Sequence, residues 1–396
     1  MGPRVFVTGA GLISAIGNGT EETLDSFRLL RSGIGRLSLF DSVHSDIPVA
    51  EVKLDNQDLA QLAGIDIQSN PHSRNTLLAL IAASQAVKSS GWNGAAEKST
   101  GAILATTVGG MDLNEQYYKS LLQNDQYKHL ISLFDSADCA EKVATHLGIR
   151  HHVTTISTAC SSSANAIMLG ARLIKNGQLR RVLVGGSDSL TKFTLNGFFA
   201  LEILSATGCR PFDKDRNGLT IGEGAAVLVL ESEETARPEN IICEVTGYAN
   251  VNEAYHATSS SAEGTGAIMA MSRALETASL KPGDISYINA HGTGTGINDL
   301  SEGKAIDAVF GRHIPPVSST KAFTGHTLGA AGAIEAVFSC LALQRGLVLP
   351  ALNFTTPMPE LSFQPQTAIE SGPLQHVMSN SFGFGGSNTT LIFSKV

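Results

Sequence analysis

The sequence lacks several features that would assign it to a class at once. Its 396 residues contain five cysteines and no Cys-x-x-Cys pair, which argues against a disulfide framework or a zinc site and favours a reducing compartment. Charged residues make up only 16% of the chain and no basic tract stands out, so nucleic acid is not an expected partner. No segment approaches the ~18–20 consecutive apolar residues that span a bilayer.

What is present is typical of a large globular protein. Hydrophobic residues make up 42% of the chain and the formal net charge is −8. The N-terminal Val5–Val7 reads as a first strand and not as part of a signal peptide. A chain of this length buries a sizeable core and is expected to form two domains or one duplicated domain. We therefore expect a cytoplasmic protein with no membrane segment.

Strand and helix patterns alternate along the chain, which predicts an α/β fold. The strands predicted in the first half are Val5–Val7, Ala102–Ala105, Val153–Ile156, Arg181–Gly185 and Ala225–Leu230. Those predicted in the second half are Ile241–Ala249, Ile285–Asn289, Val317–Ser319, Val377–Ser381 and Thr390–Ser394. The predicted helices are Thr20–Arg31, a long one within Pro71–Ser89, Ala140–Leu147, Ala164–Leu173, Gly266–Ala278, Leu300–Phe310 and Leu328–Gln344. This repeated rhythm predicts two similar halves, residues 1–237 and 238–396.

One cysteine comes directly between a predicted strand and a predicted helix. Val153–Ile156 leads into Ser157-Thr158-Ala159-Cys160, and a helical pattern begins at Ala164. The unpaired backbone N–H groups of a helix N-terminus favour a thiolate over a thiol. Cys160 is therefore a candidate nucleophile, although a single free cysteine is more often a small buried hydrophobe.

Three later polar stretches, each at a predicted strand end, add the partners that such a nucleophile needs. Residues 289–299 carry His291, residues 318–326 carry Lys321 and His326, and residues 380–388 carry Gly383–Gly386. Two imidazoles and a glycine-rich backbone can donate hydrogen bonds to a developing oxyanion, and an ammonium can orient an imidazole. A thiolate can attack a carbonyl and hold the acyl group as a thioester. Together these groups predict acyl transfer followed by stabilisation of an enolate.

These four stretches resemble the β-ketoacyl-acyl carrier protein synthases of the thiolase-like superfamily, of the elongating type. The resemblance covers nearly the whole chain and extends to Val7–Gly11, Arg210–Gly218, Gly222–Ala225 and Ala254–Ser259. It implies a thiolase-like fold, in which two similar α/β halves form five layers, α-β-α-β-α. It also implies a homodimer, with the segment at Val108–Met111 closing the acyl pocket of the partner.

The resemblance also implies the catalytic residues. In the family the cysteine of the TAC motif carries the acyl chain, which is Cys160 here. The histidines of HGTxT and TKxxTGH match His291 and His326, which are expected to decarboxylate the malonyl unit and stabilise its enolate. Lys321 is expected to support the histidines electrostatically, with Glu302 as its ion-pair partner.

The family's binding residues carry over in the same way. The backbone N–H groups of Cys160 and Phe384 are expected to form the oxyanion hole, and Phe384 also resembles the gate that moves as acyl chains enter. Thr258, Thr293 and Thr295 match positions that hydrogen-bond the phosphopantetheine arm.

The implied partner is an acyl carrier protein, which is acidic and needs a basic docking surface. The helix that many members use for docking is poor in basic residues here, with Arg74 as its one candidate. Arg210, Lys214 and Arg216 form a second candidate docking patch. The resemblance implies no metal and no organic cofactor, because the phosphopantetheine arrives on the carrier.

The chain departs from the family pattern at Ser161–Ser163, Gly294 and Gly296. These departures favour a specialised synthase for a polyene or polyketide over a housekeeping fatty-acid enzyme. Two alternatives remain. One is a catalytically silent, chain-length-factor-like partner in a heterodimer, against which the presence of Cys160 argues. The other is a thiolase or chalcone-synthase-like enzyme acting on coenzyme A esters, against which His326 argues.

Two further motifs have simpler interpretations. Val7–Ser14 resembles a dinucleotide-binding turn but has too few glycines and no acidic residue at the expected distance, so a tight structural turn is favoured. Asp299 is expected to cap a turn after Gly296.

Overall fold

The computed structural model describes residues 2–68, 71–92, 98–123 and 127–396. The strands that form the main sheet are β1 Val5–Ser14, β2 Thr100–Ala105, β3 Val153–Ile156, β4 Arg181–Asp188, β5 Gly224–Ser232, β6 Cys243–Asn252, β7 Tyr287–Asn289, β8 Val317–Ser318, β9 His376–Phe382 and β10 Ser387–Ser394. The helices are α1 Thr20–Arg28, α2 Asn56–Ala63, α3 Arg74–Ser90, α4 Met111–Leu121, α5 Ala137–His146, α6 Ser162–Lys175, α7 Lys192–Ala200, α8 Thr265–Ala278, α9 Gly296–Phe310, α10 Lys321–Thr324 and α11 Ala331–Arg345.

Shorter elements complete the description. Short strands lie at Gly17–Asn18, Ile34–Gly35, Val49–Ala50, Leu347–Val348 and Glu370–Ser371. Turns of 3₁₀ helix lie at Lys128–Phe134, Pro238–Asn240, Pro282–Asp284, Leu328–Ala330 and Phe384–Gly386. No helix in the described part of the chain is long and apolar enough to cross a membrane.

The two halves of the chain have the same strand topology. The sheet runs in the order β8-β7-β9-β10-β6-β1-β5-β4-β2-β3. If the five strands of each half are numbered 1 to 5 along the chain, both halves have the order 3-2-4-5-1 from the outer edge to the centre of the sheet. In each half the second strand is parallel to the third and fourth, and the fifth is antiparallel to its two neighbours. The halves join where β1 and β6 pair antiparallel through Phe6–Glu244 and Val7–Cys243. The α/β prediction and the predicted duplication of the fold are confirmed.

Helices cover both faces of each half-sheet. The helices α6 and α11 occupy equivalent places, between the third and fourth strands of their halves, and they pack on each other between the half-sheets. On the outer faces, α3 and α5 pack together in the first half and α8 and α9 in the second. Buried apolar side chains of β1, α6 and α11 form the central core. The resulting order of layers is the predicted α-β-α-β-α.

The first strand is longer than predicted, and the expectation of a tight turn at Val7–Ser14 is wrong. The strand β1 continues through that segment to Ser14 and is buried throughout. A Cβ atom at Gly11 would lie 2.1 Å from the carbonyl oxygen of Ala82 in α3. The glycine therefore serves close packing of a helix on a strand and not a change of chain direction.

In the described part of the chain, four helices were missing from the predicted pattern, namely α2, α4, α7 and the short α10. Two of them begin with a capping box that the sequence displays: Asp55 with Asp58 before α2, and Thr191 with Thr194 before α7. Each pair satisfies backbone N–H groups at its helix start, so this signal could have located both helices.

Candidate active site

Cys160 lies on a strained turn between β3 and α6. Ala159, immediately before it, has φ of 53°, which is unfavourable for a residue with a Cβ atom. The backbone N–H of Thr158 donates to Oγ of Ser162 at 2.7 Å, which ties the turn to the first residue of α6. The turn thus holds the thiol at the start of the helix, where the sequence predicted it.

The protonation state of Cys160 differs from the prediction. Burial raises the pKa of the thiol to about 11, and hydrogen bonds from the backbone N–H groups of Phe384 and Cys160, together with the charge of Lys321, offset burial only in part. The backbone N–H groups at the helix start therefore favour a thiolate, as expected, but burial outweighs them and leaves the thiol as the stable form. The two backbone N–H groups predicted to form the oxyanion hole both lie beside this sulfur.

Two histidines from the second half converge on this sulfur. The sulfur of Cys160 and ring nitrogens of His291 and His326 all lie within 4.8 Å of one another. The imidazole centroids are 5.2 Å apart and the ring planes are nearly perpendicular. All three residues are buried. The structure thus brings together groups that are 131 and 166 positions apart in the sequence.

The loop after β8 delivers His326 through a close backbone contact. Gly325 has φ of +64°, and a Cβ atom there would lie 2.9 Å from the backbone nitrogen of Gly222. The His326 backbone N–H donates to the Thr220 carbonyl at 2.6 Å. A glycine is therefore required at position 325 for the histidine to reach the site.

Hydrogen bonds fix the same tautomer in both imidazoles. Lys321 Nζ lies 3.2 Å from Nδ1 of His291, and the backbone N–H of Leu328 donates to Nδ1 of His326 at 3.2 Å. Burial, the charge of Lys321 and, for His291, the nearby His326 hold the pKa of each imidazole well below its usual range. Both rings are therefore neutral with the proton on Nε2, and each can donate one N–H bond into the site.

The ion-pair partner of Lys321 is Glu335 and not Glu302, so that prediction is wrong. Lys321 Nζ donates to a carboxylate oxygen of Glu335, which projects from α11, and to the carbonyl of His291 at 2.6 Å. Burial raises the pKa of Glu335 to about 7, and the charge of Lys321 opposes this shift. Glu335 is the one carboxylate in the largely apolar run at residues 331–345, and this isolated charge was the signal that could have found the partner.

Glu302 has a structural role in the same site. Its carboxylate accepts hydrogen bonds from the backbone N–H groups of His291 at 2.8 Å and Gly292 at 2.7 Å. Asp299 does the same for Thr293 at 2.9 Å and Gly294 at 3.1 Å, which agrees with the turn-capping role expected of it. These two carboxylates of α9 therefore set the path of the loop that carries His291.

A cavity of about 340 Å³ connects Cys160, His291 and His326 to solvent. Buried Cys160 lies in its wall together with exposed Leu201 and Ile297, so the cavity reaches from the surface to the thiol. The wall also contains the three threonines predicted to bind phosphopantetheine, namely Thr258, Thr293 and Thr295.

Phe384 lies in the same cavity wall, beside Cys160. Its ring stacks on Phe198 of α7 with the centroids 6.0 Å apart. It begins the short 3₁₀ turn between β9 and β10, in which Gly385 and Gly386 both have positive φ. The predicted gate residue therefore touches the cavity and is held by one aromatic contact.

The predicted docking residues lie in different environments, and the docking role of Arg74 is wrong. Arg74 is buried, pairs with Glu223 at 2.7 Å and donates to the carbonyl of Val52. A guanidinium that is buried and hydrogen-bonded in this way cannot contact a partner protein. Lys214 is exposed.

The other two candidate docking residues are partly buried. The Arg216 guanidinium donates to the carbonyls of Thr295 and Gly296, which line the cavity. Arg210 lies beside Gly294, since a Cβ atom at that glycine would be 3.0 Å from the Arg210 backbone nitrogen. The segment with Arg210, Lys214 and Arg216 therefore borders the loop that forms the cavity wall.

In the described part of the chain, Cys160, His291 and His326 are the group of side chains whose spacing could hold a metal ion. A neutral imidazole that binds a metal through Nε2 keeps its proton on Nδ1. Here Nδ1 of each ring accepts a hydrogen bond, so the proton is on Nε2. The arrangement fits two hydrogen-bond donors better than two metal ligands.

Comparison with known proteins agrees with this chemistry. Residues 3–236 match the profile of the beta-ketoacyl synthase N-terminal domain, and residues 242–355 match that of the C-terminal domain. This chain belongs to the β-ketoacyl synthase family. It is 34% identical to 3-oxoacyl-[acyl-carrier-protein] synthase 2 of Staphylococcus aureus (strain N315), with 99% of this chain and 98% of that protein covered.

Further relatives of this ketosynthase family member span its whole length. The protein of the same name from Synechocystis sp. is 35% identical, with 99% of this chain and 98% of that protein covered. The ishigamide ketosynthase/chain length factor structure has a TM-score of 0.90 and 29% identity, with both chains fully covered. A beta-ketoacyl synthase from Burkholderia phymatum STM815 has a TM-score of 0.89 and 29% identity, again with full coverage. The fold is thus the thiolase-like fold predicted from the sequence.

Proposed function

We propose that this protein joins a Cys160-bound acyl chain to a malonyl unit in a decarboxylative Claisen condensation. The observation that carries the proposal is the convergence of one thiol and two Nε2–H donors in a single cavity. The 3-oxoacyl-[acyl-carrier-protein] synthases that it resembles support the same reaction and an acyl carrier protein as the source of both substrates.

The first step transfers the acyl chain from the carrier to the enzyme. The sulfur of Cys160 attacks the thioester carbonyl, and the bond between that carbon and the pantetheine sulfur breaks. The proton of the Cys160 thiol ends on the released pantetheine thiol, so the step is a balanced exchange. The N–H groups of Cys160 and Phe384 stabilise the negative oxygen that forms during the attack.

The second step generates the carbon nucleophile. The malonyl carboxylate leaves as carbon dioxide, and its electron pair becomes an enolate of the remaining thioester. The negative enolate oxygen accepts hydrogen bonds from Nε2–H of His291 and of His326. Such donors act strongly in a buried site because little water competes with them.

The third step forms the carbon–carbon bond. The enolate carbon attacks the carbonyl carbon of the Cys160 thioester, the bond to the sulfur breaks, and the β-ketoacyl chain remains on the carrier. The released Cys160 thiolate takes a proton from water, and its high pKa makes the thiol its resting form. The loss of carbon dioxide supplies the electron pair, so we propose that the reaction needs neither a metal nor an organic cofactor.

The complete catalytic set favours this reaction over the two alternatives. A silent carrier-binding partner needs no nucleophile, yet Cys160 lies in the cavity wall with both histidines. Thiolases and chalcone-synthase-like enzymes have a cysteine or an asparagine as the third group. Here that group is His326, which has a fixed tautomer and can donate to an enolate.

We propose that the acyl substrate belongs to a specialised pathway for a polyene or polyketide. The departures at Ser161–Ser163, Gly294 and Gly296 support this substrate class. So does the similarity to the ishigamide ketosynthase structure and to a type II PKS ketosynthase, at 29% and 28% identity with full coverage. The test compares the rates at which carrier-bound acyl chains acylate Cys160. If saturated medium-length chains load as fast as conjugated chains, or faster, the protein is a fatty-acid enzyme instead.

We propose a homodimer as the assembly, in a reducing cytoplasmic setting that suits a free catalytic thiol. Exposed apolar side chains on α4 and the turns after it support a partner surface there; these are Tyr118, Leu122, Ile131 and Phe134. A second ketosynthase-like chain is the alternative, as in the ketosynthase–chain length factor structures that this chain resembles. Light scattering of the purified chain tests the homodimer, and a monomer that pairs only with a co-expressed second chain would contradict it.

The proposed reaction is tested with acyl and malonyl carrier proteins. Mass spectrometry is expected to find the acyl adduct on Cys160 and the β-ketoacyl product on the carrier. The Cys160→Ala variant is expected to form neither. Product formation by that variant at the wild-type rate would refute the proposal.

A further inference from the structure

Asp188 connects three segments around the active site without lining the cavity. It ends β4, and its carboxylate is fully buried. The loop after β2 donates to it from the hydroxyl groups of Thr106 and Thr107, both at 2.6 Å, and from the backbone N–H groups of Thr107 at 2.9 Å and Val108 at 3.0 Å. A further backbone N–H comes from the other half of the chain, that of Gly329 at 2.7 Å.

The segment that Asp188 holds through Gly329 is the turn that orients His326. The backbone N–H of Leu328, one residue before Gly329, donates to Nδ1 of His326 at 3.2 Å. Leu328 has φ of +52°, a conformation that a residue with a Cβ atom adopts only when its surroundings impose it. Two hydrogen bonds next to this residue hold it. One closes the turn locally, from the Ala330 N–H to the Thr327 carbonyl at 3.0 Å, and the other ties the turn to the first half of the chain, from the Gly329 N–H to Asp188.

We propose that Asp188 is a positioning residue for His326: by holding the N–H of Gly329, it keeps the Leu328 N–H on Nδ1 of His326 and so keeps the catalytic proton on Nε2. This inference rests on the proposed function, since it assigns Asp188 to the decarboxylation step. It was not visible in the sequence, where the segment around Asp188 resembles an ordinary strand end.

A carboxylate suits this position because every group that faces it is a donor. Three backbone N–H groups and two hydroxyls point at its two oxygens. An asparagine would offer one oxygen. Whichever way its amide is turned, its NH₂ group would face a backbone N–H donor, of Gly329 on one side or of Thr107 and Val108 on the other, although a threonine hydroxyl could accept one of its protons. The Asp188→Asn variant therefore loosens either the Gly329 turn or the loop after β2, with little change in side-chain volume.

The first test observes the tautomer directly and needs no enzymatic activity. Proteins with ¹⁵N-labelled histidine are compared by NMR as wild type, Asp188→Asn and Glu231→Gln. Glu231 is a matched control because it is a buried carboxylate that pairs with Arg181 at the opposite end of β4. We expect His326 to be protonated on Nε2 alone in the wild type and in Glu231→Gln. In Asp188→Asn we expect a mixture with the proton on Nδ1.

The second test separates the two half-reactions. In Asp188→Asn, malonyl decarboxylation is expected to fall at least about tenfold, whereas acylation of Cys160 stays within about threefold of wild type. Equal losses in both half-reactions, or an unchanged His326 tautomer, would overturn the proposal. If neither half-reaction occurs in the wild type, the proposed function fails, and the NMR comparison still decides the role of Asp188.

A milder variant covers the case in which Asp188→Asn does not fold. Thr107→Val removes one hydroxyl donor to the Asp188 carboxylate and leaves the residue itself in place. We expect a smaller population of the Nδ1–H tautomer and a smaller loss of decarboxylation than in Asp188→Asn. A normal tautomer in Thr107→Val, together with a selective loss of acylation, would contradict the assignment.

Discussion

Lys321 Nζ lies 3.2 Å from Nδ1 of His291 and donates its hydrogen bond to that nitrogen. The contact determines the chemistry of the histidine. It leaves Nδ1 without a proton, so the neutral ring carries its proton on Nε2, which is the nitrogen that can donate to an enolate. We propose that the lysine acts on the reaction through the histidine.

The Lys321→Met variant should lose this control while keeping a side chain of similar length. Without the donor, the proton of His291 can move to Nδ1, and the enolate loses one hydrogen bond. Malonyl decarboxylation is expected to fall about 10²–10³-fold, the usual effect of removing one oxyanion donor. Release of labelled carbon dioxide measures the rate. Lys175→Met, which removes a half-buried lysine beside Tyr248, is the control and should retain the wild-type rate.

A double-mutant cycle distinguishes the two carboxylates that could serve Lys321. The structure pairs Lys321 with Glu335, whereas Glu302 holds the loop backbone. The unfolding free energies of Lys321→Met and Glu335→Gln, alone and combined, should show a coupling of about 0.5–3 kcal/mol, as expected for residues in contact. The same cycle with Glu302→Gln should show much weaker coupling. Stronger coupling to Glu302 than to Glu335 would reverse the assignment.

The sequence predicted the fold and the catalytic groups but not the pairings among buried charges. Strand periodicity and the four motifs were sufficient to place Cys160, His291 and His326 at strand ends, which meet at one site in this fold. Which carboxylate reaches Lys321 depends on the packing of α11 against the loop after β8. Glu335 lies within a largely apolar helix, whereas the family resemblance indicates Glu302, the acidic residue that follows the HGTxT motif.

Burial explains the other two errors about the site. The family resemblance makes Arg74 a candidate docking residue, because it lies in the helix region that many members use for docking, but the fold buries it against Glu223. Backbone N–H groups at the helix start lower the pKa of the Cys160 thiol, but desolvation of the thiolate raises that pKa by more. Neither the depth of a residue nor its distant partners can be read from local sequence.

The raised pKa of Cys160 predicts a steep pH dependence of its alkylation. Only the thiolate reacts, and its fraction increases tenfold per pH unit as long as the pH stays below a pKa of about 11. The rate of iodoacetamide labelling at Cys160, followed by mass spectrometry, should therefore rise about tenfold per unit from pH 7 to pH 9. A plateau below pH 8 would mean that the free enzyme already holds a thiolate.

Removal of Arg74 should affect stability and not recognition of the carrier. Arg74→Met leaves Glu223 as a buried charge without its partner, a change that costs about 3–5 kcal/mol of unfolding free energy in comparable cases. Chemical denaturation measures this cost. The KM for acyl carrier protein should stay at the wild-type value in the folded fraction. A raised KM with unchanged stability would restore the docking role.

Lys214 is the candidate docking residue that is free to meet a partner, because its side chain is exposed. Lys214→Glu should raise the KM for acyl carrier protein several-fold and make it less sensitive to salt, because a favourable charge contact becomes a repulsive one. Loading from a short pantetheine thioester, which has no protein partner, should be unchanged. An equal effect on both substrates would place Lys214 in the cavity and not on the docking surface.

The most direct test of the account compares the half-reactions of the His326→Phe variant with those of the wild type. Phenylalanine keeps a ring at this position but has no N–H to donate, whereas an asparagine would still offer one. We predict that intact-protein mass spectrometry will find the acyl adduct on Cys160 in both proteins. Only the wild type should release carbon dioxide from malonyl carrier protein at its full rate, because the variant has lost the Nε2–H donor to the enolate. Full decarboxylation by His326→Phe would contradict the central claim that one thiol and two imidazole donors share this site.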